Sequence, residues 1–292
     1  MAKFKGHSTF AIRQGWLAKV IEEIQNPEND GESLFSTPYG IERLGIGANM
    51  VTSLRYWVKT IGLVGFNPIR KYYLTEDVGE VIAVRDPFVE QLLTLWILHI
   101  NLIRNEDQAT TWSVFFNEFD ATEFSKDDFV LFMKSWTKRN GLDVKQSSVD
   151  SDINVLLSMY NSNGSYDDPE DNIQSPFARL NLLSEKHSSL GHKKFLRNRA
   201  KVDADTICAS KYAINLMFAE GENSLDIEKI ETGKNSLKAL FGFDRMQVNE
   251  VLDKLTEEGY IKVIRTGGLD RVELIKSLTQ MEILDSCYNQ LQ

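Results

Sequence analysis

The chain has 292 residues, of which 42% are apolar and 26% are charged, as in a globular protein with about two or three domains. Its longest apolar run, residues 92–103, is too short to cross a membrane, and its start has no apolar signal segment, so we expect no membrane partner. Two cysteines, Cys208 and Cys287, with four scattered histidines do not suggest a zinc cluster, and we expect a reducing, cytoplasmic setting.

The basic residues are unevenly distributed along a chain whose formal net charge is -9. Residues 43–75 and 186–201 contain no acidic residue and together hold 11 of the 33 lysines and arginines. The rest of the chain therefore has 22 basic residues against 42 acidic ones. Such a division is typical of a protein that binds nucleic acid through one surface, although a solvated charged face is an equal alternative.

The first distinctive stretch, residues 44–57, reads LGIGANMVTSLRYW and places Gly-x-Gly before an amphipathic run. A dinucleotide-binding loop would need a third glycine where Met50 stands, and no Lys-Ser/Thr pair follows at the spacing of a phosphate-binding loop. The glycines therefore favour a turn between two helices. The apolar stripe predicted for the second helix is Met50, Leu54, Trp57 and Ile61.

The opposite side of that helix is polar, aromatic and basic, and we predict that it contacts DNA. The next residues, LVGF and KYYLT joined by NPIR, predict two short strands with a basic tip, as in the wing of a winged helix. Basic residues would neutralise phosphates, and polar residues at the helix start would meet base edges. The alternative is a plain three-helix packing unit. The predicted contacts are Asn49, Thr52, Ser53, Arg55, Tyr56, Lys59, Arg70 and Lys71.

The middle of the chain is predicted to be helical. Residues 86–104 are apolar nearly all round, which indicates a buried central helix with His99 in the core. A second helix begins after the N-cap Ser125, with Asp128 at its third position, and a third covers residues 147–160. The polar loop 161–176 that follows marks a domain boundary or a functional loop.

The last part of the chain repeats the outline of the first. Helices are predicted from Ala204 and from Asp226, and a third helix is followed by a Gly-Gly hairpin. The apolar stripe of the third helix is Val248, Val251, Leu252 and Leu255. Its exposed positions would repel phosphate, so we expect this unit to pack against protein. Those positions are Gln247, Glu250, Asp253 and Glu257.

These patterns predict a mainly α fold with winged-helix-like units at both ends, small β-hairpin wings and a helical centre. The predicted domains are an N-terminal DNA-facing unit (1–105), a central helical unit (106–185) and a C-terminal unit (186–292). The second acid-free window adds further candidate phosphate contacts. These are Lys193, Lys194, Arg197 and Arg199.

Catalytic signals are fewer. FKGHSTFAIRQGW places His7 near Arg13, a pairing that could serve proton transfer and charge stabilisation, or could instead form a structural N-terminal clasp. Two acidic clusters could hold a divalent metal or could simply be solvated. They comprise Glu118, Asp120 and Glu123, and Asp167, Asp168, Glu170 and Asp171.

Six stretches in order, FKGHSTFxxRxGW, LGIGxNMVxSxRYW, DPFxExxxTLWxLH, TTWxxFFNEF, EDNxxSPFxxLxLL and LFGFD, resemble a bacterial family defined as a domain of unknown function. That family is encoded in DNA phosphorothioation (sulfur modification) defence operons, and the resemblance covers essentially the whole chain. It implies metal-dependent DNA nicking that permits sulfur insertion in anti-phage defence, with a divalent metal such as Mg²⁺.

The operon context also implies partners: DNA, and the sulfur-transfer enzymes and ATPase encoded beside the family. The sulfur-transfer enzymes are a cysteine desulfurase and an ATP-using PAPS-reductase-like enzyme. Two other functions fit the same residues. One is a non-catalytic DNA-binding adaptor that recruits the sulfur-transfer enzymes, and the other is a transcriptional regulator of the operon.

Overall fold

The computed structural model describes residues 2–28, 34–69, 71–162, 174–187, 193–218, 222–266 and 269–291. Within these ranges the fold is mainly helical, as predicted, and it has three small antiparallel sheets, of which the sheet formed by Glu123–Phe124, Lys193–Arg197 and Leu183–His187 was not predicted. The helices are α1 (Trp16–Gln25), α2 (Tyr39–Leu44), α3 (Ala48–Thr60), α4 (Gly79–Arg85), α5 (Leu92–Arg104), α6 (Thr110–Asn117), α7 (Lys126–Arg139), α8 (Gln146–Tyr160), α9 (Ala204–Asn215), α10 (Ile227–Thr232), α11 (Leu237–Phe241), α12 (Arg245–Glu257) and α13 (Gln280–Leu291), with a 3-10 turn at Pro176–Leu180. The strands are β1 (Val64–Asn67), β2 (Lys71–Leu74), β3 (Glu123–Phe124), β4 (Leu183–His187), β5 (Lys193–Arg197), β6 (Ser224–Asp226), β7 (Ile261–Thr266) and β8 (Leu269–Leu274).

The first unit has the predicted order of helix, turn, helix and hairpin. Gly45 ends α2 with φ of 64°, a left-handed conformation that glycine adopts without strain, and Gly47 precedes the first turn of α3. After α3, β1 pairs with β2 in an antiparallel hairpin in which Val64 lies opposite Leu74. The glycines therefore form the corner between two helices, as the sequence pattern indicates.

Helix α5 is the buried centre of the fold, as predicted from its apolar sequence. Its core positions from Leu93 to Ile103 are buried, and the helix packs against α6, α9, α11 and the 3-10 turn. An apolar surface all round a helix is stable only when neighbours cover every side. Here the neighbours come from both halves of the chain.

His99 on α5 is a fully buried histidine with both ring nitrogens hydrogen-bonded. Its Nε2 lies 3.0 Å from the Leu240 carbonyl oxygen, which can only accept, so Nε2 carries the proton and Nδ1 accepts from the Tyr160 hydroxyl at 2.7 Å. Burial lowers the pKa of His99 to about 3. The side chain is a neutral core group, as predicted.

Acidification is expected to weaken the fold through His99. Below pH ~6.5 the unfolded chain binds a proton at this histidine while the folded chain, with a pKa of about 3, does not, so stability falls as the pH falls. The contribution is about 2 kcal/mol between pH 6.5 and 4.5. Urea unfolding at both pH values should show a smaller loss for His99→Gln than for the wild type. Equal losses would contradict this assignment.

The centre of the fold confirms the predicted helix start at Ser125. Its hydroxyl accepts from the Asp128 backbone N–H at 3.2 Å, and the Asp128 carboxylate accepts from the Ser125 N–H at 2.7 Å, a capping box. The hydrogen bond from the Ser125 N–H lowers the pKa of Asp128.

Strands β4 and β5 form a sheet with β3 in the order β3, β5, β4. A domain boundary between 185 and 186 would fall inside β4.

The last unit begins with α9 and adds β6, α10, α11, α12 and the β7–β8 hairpin, with β6 paired to β8. The predicted apolar stripe of α12 is buried. Its acidic residues Glu250, Asp253 and Glu257 are exposed as predicted. Gln247 differs, because it is half-buried and caps the helix by accepting from the Asp244 N–H.

The two cysteines lie in the core of this last unit, where α9 packs against α13. Both are free, and the Cys208 thiol donates a hydrogen bond to Gln290 Oε1 at 3.5 Å. The two cysteines are far apart in sequence but lie close together in the fold.

The buried apolar residues of the described chain form one continuous core from α1 to α13. Within the described residues, every helix is too short or too polar to cross a membrane.

Candidate nucleic-acid interface

Helix α3 presents a narrow polar face to solvent. Val51, Leu54, Trp57 and Val58 are buried on the side that meets the core. Met50, predicted to belong to that side, is only half-buried, because the stripe is centred one residue later. The exposed residues along the opposite side are Asn49, Thr52, Arg55 and Lys59.

Two predicted DNA contacts on α3 are core residues instead. Ser53 is fully buried, and its hydroxyl lies 3.2 Å from the Phe10 carbonyl oxygen that accepts its hydrogen bond. Tyr56 is 9% exposed and its hydroxyl donates to the Gln108 carbonyl at 2.6 Å; burial raises its pKa. Both side chains are therefore excluded from the exposed face of α3.

The N-terminal segment packs over the side of α3 that carries Ser53 and Tyr56. It also places the positive charge of Lys3 beside the exposed face of α3. Gly6 lies so close to the Tyr56 ring that a Cβ there would collide with it. Lys3 is held beside α3 by a 2.8 Å hydrogen bond from Nζ to Gln108, with Nζ 5.2 Å from the centre of the Tyr56 ring. Partial burial and then the charges of Lys59 and Arg55 lower the pKa of Lys3.

Lys3, Arg55 and Lys59 therefore form one positive surface, which we call the α3 cationic face. Each is exposed, and in the part of the chain that the structure describes none of the three makes an ion pair with an acidic side chain. Three cations this close raise each other's electrostatic energy, and a polyanion would relieve that repulsion.

The β1–β2 hairpin continues the α3 cationic face. Phe66 is 48% exposed and Ile69 92% exposed, and Lys59 Nζ lies 5.8 Å from the centre of the Phe66 ring. Lys71 is half-buried, with φ of 58° at the tip of the hairpin. The predicted contact Arg70 lies outside the described residues.

The second basic cluster is largely neutralised by acidic partners. Lys193 pairs with Glu185 and Lys194 with Glu123, each at 2.6 Å. The strand pairings of the β3–β5–β4 sheet bring Glu185 on β4, just outside the acid-free window, and Glu123 on β3, distant in sequence, beside these lysines. These side chains do not form the free basic surface that the acid-free window predicts.

The two arginines of this cluster are also occupied. Arg199 pairs with Asp244 at 2.6 Å, and this carboxylate also caps α12. Arg197 turns inward, with its guanidinium carbon 4.0 Å from the centre of the Phe115 ring and a hydrogen bond to the Phe115 carbonyl. Neither arginine belongs to the α3 cationic face.

His7 lies in a closed cluster beneath the N-terminal segment. It is fully buried, and its Nδ1 accepts from the Thr9 backbone N–H at 3.1 Å, so Nε2 carries the proton that it donates to Asp152 Oδ1 at 2.8 Å. The imidazole stacks on Trp57 with 5.7 Å between ring centres. This geometry is that of the structural clasp.

Asp152 joins the N-terminal segment to two helices. Its Oδ1 also accepts from the Lys5 backbone N–H at 2.7 Å, and its Oδ2 accepts from the Thr111 hydroxyl at 2.7 Å. The sequence does not indicate this role of Asp152, because the residue looks like any polar position on a helix. Arg13 has other neighbours, with its guanidinium over the Phe10 and Trp16 rings at 6.0 and 5.8 Å.

The first acidic cluster does not converge on one point. Glu118 accepts from the Trp136 indole N–H at 2.9 Å, Asp120 pairs with Lys238 at 3.1 Å, and Glu123 pairs with Lys194. Among the residues that the structure describes, no three His, Cys, Asp or Glu side chains are placed to hold a metal ion. The second acidic cluster, residues 167–171, lies outside the described ranges.

Comparisons with known proteins identify a family model that matches most of the chain. The family model described as "Protein of unknown function (DUF4007)" matches residues 4–288. Two solved structures are similar over 100% of this chain and 88% of theirs at 19% identity: "Magnesium ion-bound SspB crystal structure", with a TM-score of 0.82, and "SspB crystal structure", with 0.78. At this identity the similarity concerns the fold. A search of curated proteins gives no match.

Proposed function

The chain belongs to the DUF4007 family of proteins of unknown function, and we propose that it is the DNA-binding component of a DNA phosphorothioation system. The observation that carries the DNA-binding part is the α3 cationic face, an exposed surface of positive charge on a protein whose formal net charge is -9. The assignment to a phosphorothioation system is supported by the resemblance of the sequence motifs and by the similarity of the fold to SspB.

The order of elements around this face supports a winged-helix mode of binding. α2, a glycine corner and α3 precede the β1–β2 hairpin, so α3 would be the helix that meets the major groove and the hairpin would be the wing. Asn49 and Thr52 at the start of α3 are exposed at positions that could reach base edges. Phe66 and Ile69 on the wing would lie against sugar or base surfaces.

The proposal predicts a salt-dependent affinity for double-stranded DNA. Three cations that each neutralise one phosphate should give a slope of about −3 in a plot of log binding constant against log salt concentration. Fluorescence anisotropy with a labelled duplex at several salt concentrations measures this slope. A slope near zero, or the absence of binding at low salt, would contradict the proposed function.

Strand nicking is a second candidate function, and the fold neighbour with bound magnesium is the observation that favours it. The described residues contain no group of three or more His, Cys, Asp or Glu side chains that would hold a metal ion. Nicking should convert supercoiled plasmid to open circles with Mg²⁺ and not with EDTA. Because His7 is sealed in the core, any such activity should come from other residues.

A protein that binds plasmid but leaves it supercoiled would act as the DNA-binding adaptor. In that case the exposed acidic side of α12, with Glu250, Asp253 and Glu257, is the proposed surface for the sulfur-transfer enzymes or the ATPase. Its negative charge would keep this surface away from DNA while α3 binds it. The two faces thus divide DNA binding and partner binding between the ends of the chain.

A further inference from the structure

A cavity of about 600 Å³ lies between the centre of the fold and the last unit. It is bordered by the end of α6 and the turn after it, by β5, and by the segment from α10 to the start of α12. Volumes of this size accommodate small organic ligands. The cavity is separate from the α3 cationic face, since no residue of α3 lines it.

Arg197 is the unusual residue of this cavity. Its Nη2 donates a hydrogen bond to the Phe115 carbonyl oxygen, but its Nε is buried and has no hydrogen-bond partner among the described residues. The Phe115 ring, 4.0 Å from the guanidinium carbon, stabilises the cation partly. A charge removed from water without an anionic partner is nevertheless costly. Arg197 is partly exposed and is one of the residues that line the cavity.

The acids around the cavity are committed to other groups. Glu118 holds the Trp136 indole, Asp120 pairs with Lys238, and Asp244 pairs with Arg199. Glu231 lies 3.9 Å from Arg245. Within the described ranges Arg197 makes no ion pair. Burial lowers the pKa of Arg197 to about 10 although the negative charge of Asp120 opposes the shift, so the group stays protonated at neutral pH.

We propose that this cavity binds a phosphate oxyanion and that Arg197 is its central binding residue. A guanidinium offers parallel N–H donors that match two phosphate oxygens. The rings of Phe115, Phe116 and Phe119 around Arg197 leave an apolar wall beside that anion. The phosphate could belong to a free nucleotide or to the end of a DNA strand, and both offer the same oxygens. The site goes beyond the DNA-binding proposal, since it uses none of the α3 cationic face.

Isothermal titration of the full chain with inorganic phosphate tests the site. Arg197→Gln should weaken phosphate binding at least tenfold, as expected for loss of a charge-assisted contact of about 1.5–3 kcal/mol. Lys254→Gln, which changes an exposed lysine outside the cavity, should leave it unchanged. Because no residue of α3 lines the cavity, failure of the DNA-binding proposal would not affect this result.

A second measurement uses the unmodified protein and does not depend on how the variant folds. Phosphate should protect Arg197 from phenylglyoxal, measured by mass spectrometry of its peptide, and should not protect the exposed Arg265. Protection by adenosine monophosphate and not by the oligonucleotides would identify a free nucleotide as the ligand. Protection only by a 5′-phosphorylated oligonucleotide, and not by its unphosphorylated twin, would identify a DNA end. No protection by any of these ligands would overturn the proposal.

Discussion

Replacing Arg55 and Lys59 together by alanine is expected to weaken binding of double-stranded DNA about tenfold to a hundredfold at low salt. The two side chains supply most of the charge of the α3 cationic face and contact no acid in the described structure, so their loss removes attraction to phosphate without breaking an ion pair. The salt-dependence slope should also fall by about 2. Anisotropy titrations of both proteins over the same salt series measure both effects.

The matched control places the same change on the opposite end of the chain. Lys254→Ala with Lys262→Ala removes two exposed cations from α12 and β7. The net charge changes by the same amount, so a general electrostatic effect would weaken binding equally. We expect affinity and slope to stay at wild-type values. Equal losses in both double variants, or no loss in either, would refute the location of the DNA-binding surface.

Asp152→Ala is expected to lower the free energy of unfolding by about 3–5 kcal/mol. Asp152 is 1% exposed and accepts from the Lys5 N–H, the His7 imidazole and the Thr111 hydroxyl. Alanine leaves three buried donors without an acceptor, and each unsatisfied donor costs about 1–3 kcal/mol. Urea unfolding monitored by tryptophan fluorescence measures the change directly, because Trp57 and Trp112 lie against His7.

Asp150→Ala is the control on the same helix. Its carboxylate accepts one exposed hydrogen bond from Gln146, so the loss should stay below about 0.5 kcal/mol. A small loss at Asp152 as well would mean that the clasp does not hold the N-terminal segment. The result also determines how a His7 variant is interpreted, since inactivity in a plasmid assay could then arise from unfolding alone.

Local patterns in the sequence predicted much of the secondary structure and part of the interface. The apolar circumference of α5 and the capping box at Ser125 depend on neighbouring residues, and both are present. The exposure of Thr52, Arg55 and Lys59 follows from the period of α3. The helical period of the apolar residues, however, predicts burial only for the side of the helix on which those residues lie.

The burial of Ser53 and Tyr56 could not be predicted from that period. It results from the N-terminal segment, whose Phe10 carbonyl accepts from Ser53 and Trp57 more than forty positions away. The same limit applies to residues 193–199. Their acidic partners lie on other strands and at the start of α12, so an acid-free window in sequence is not an acid-free surface in space.

The position of α5 has a consequence for how the chain loses its structure. Because α6, α9 and α11 cover different sides of this one helix, no cut at residue 105 or 185 would release a piece with a complete apolar interior. The described chain should therefore unfold in a single cooperative transition rather than domain by domain. Calorimetry should give one endotherm, and truncation at either predicted boundary should give aggregating fragments instead of soluble halves.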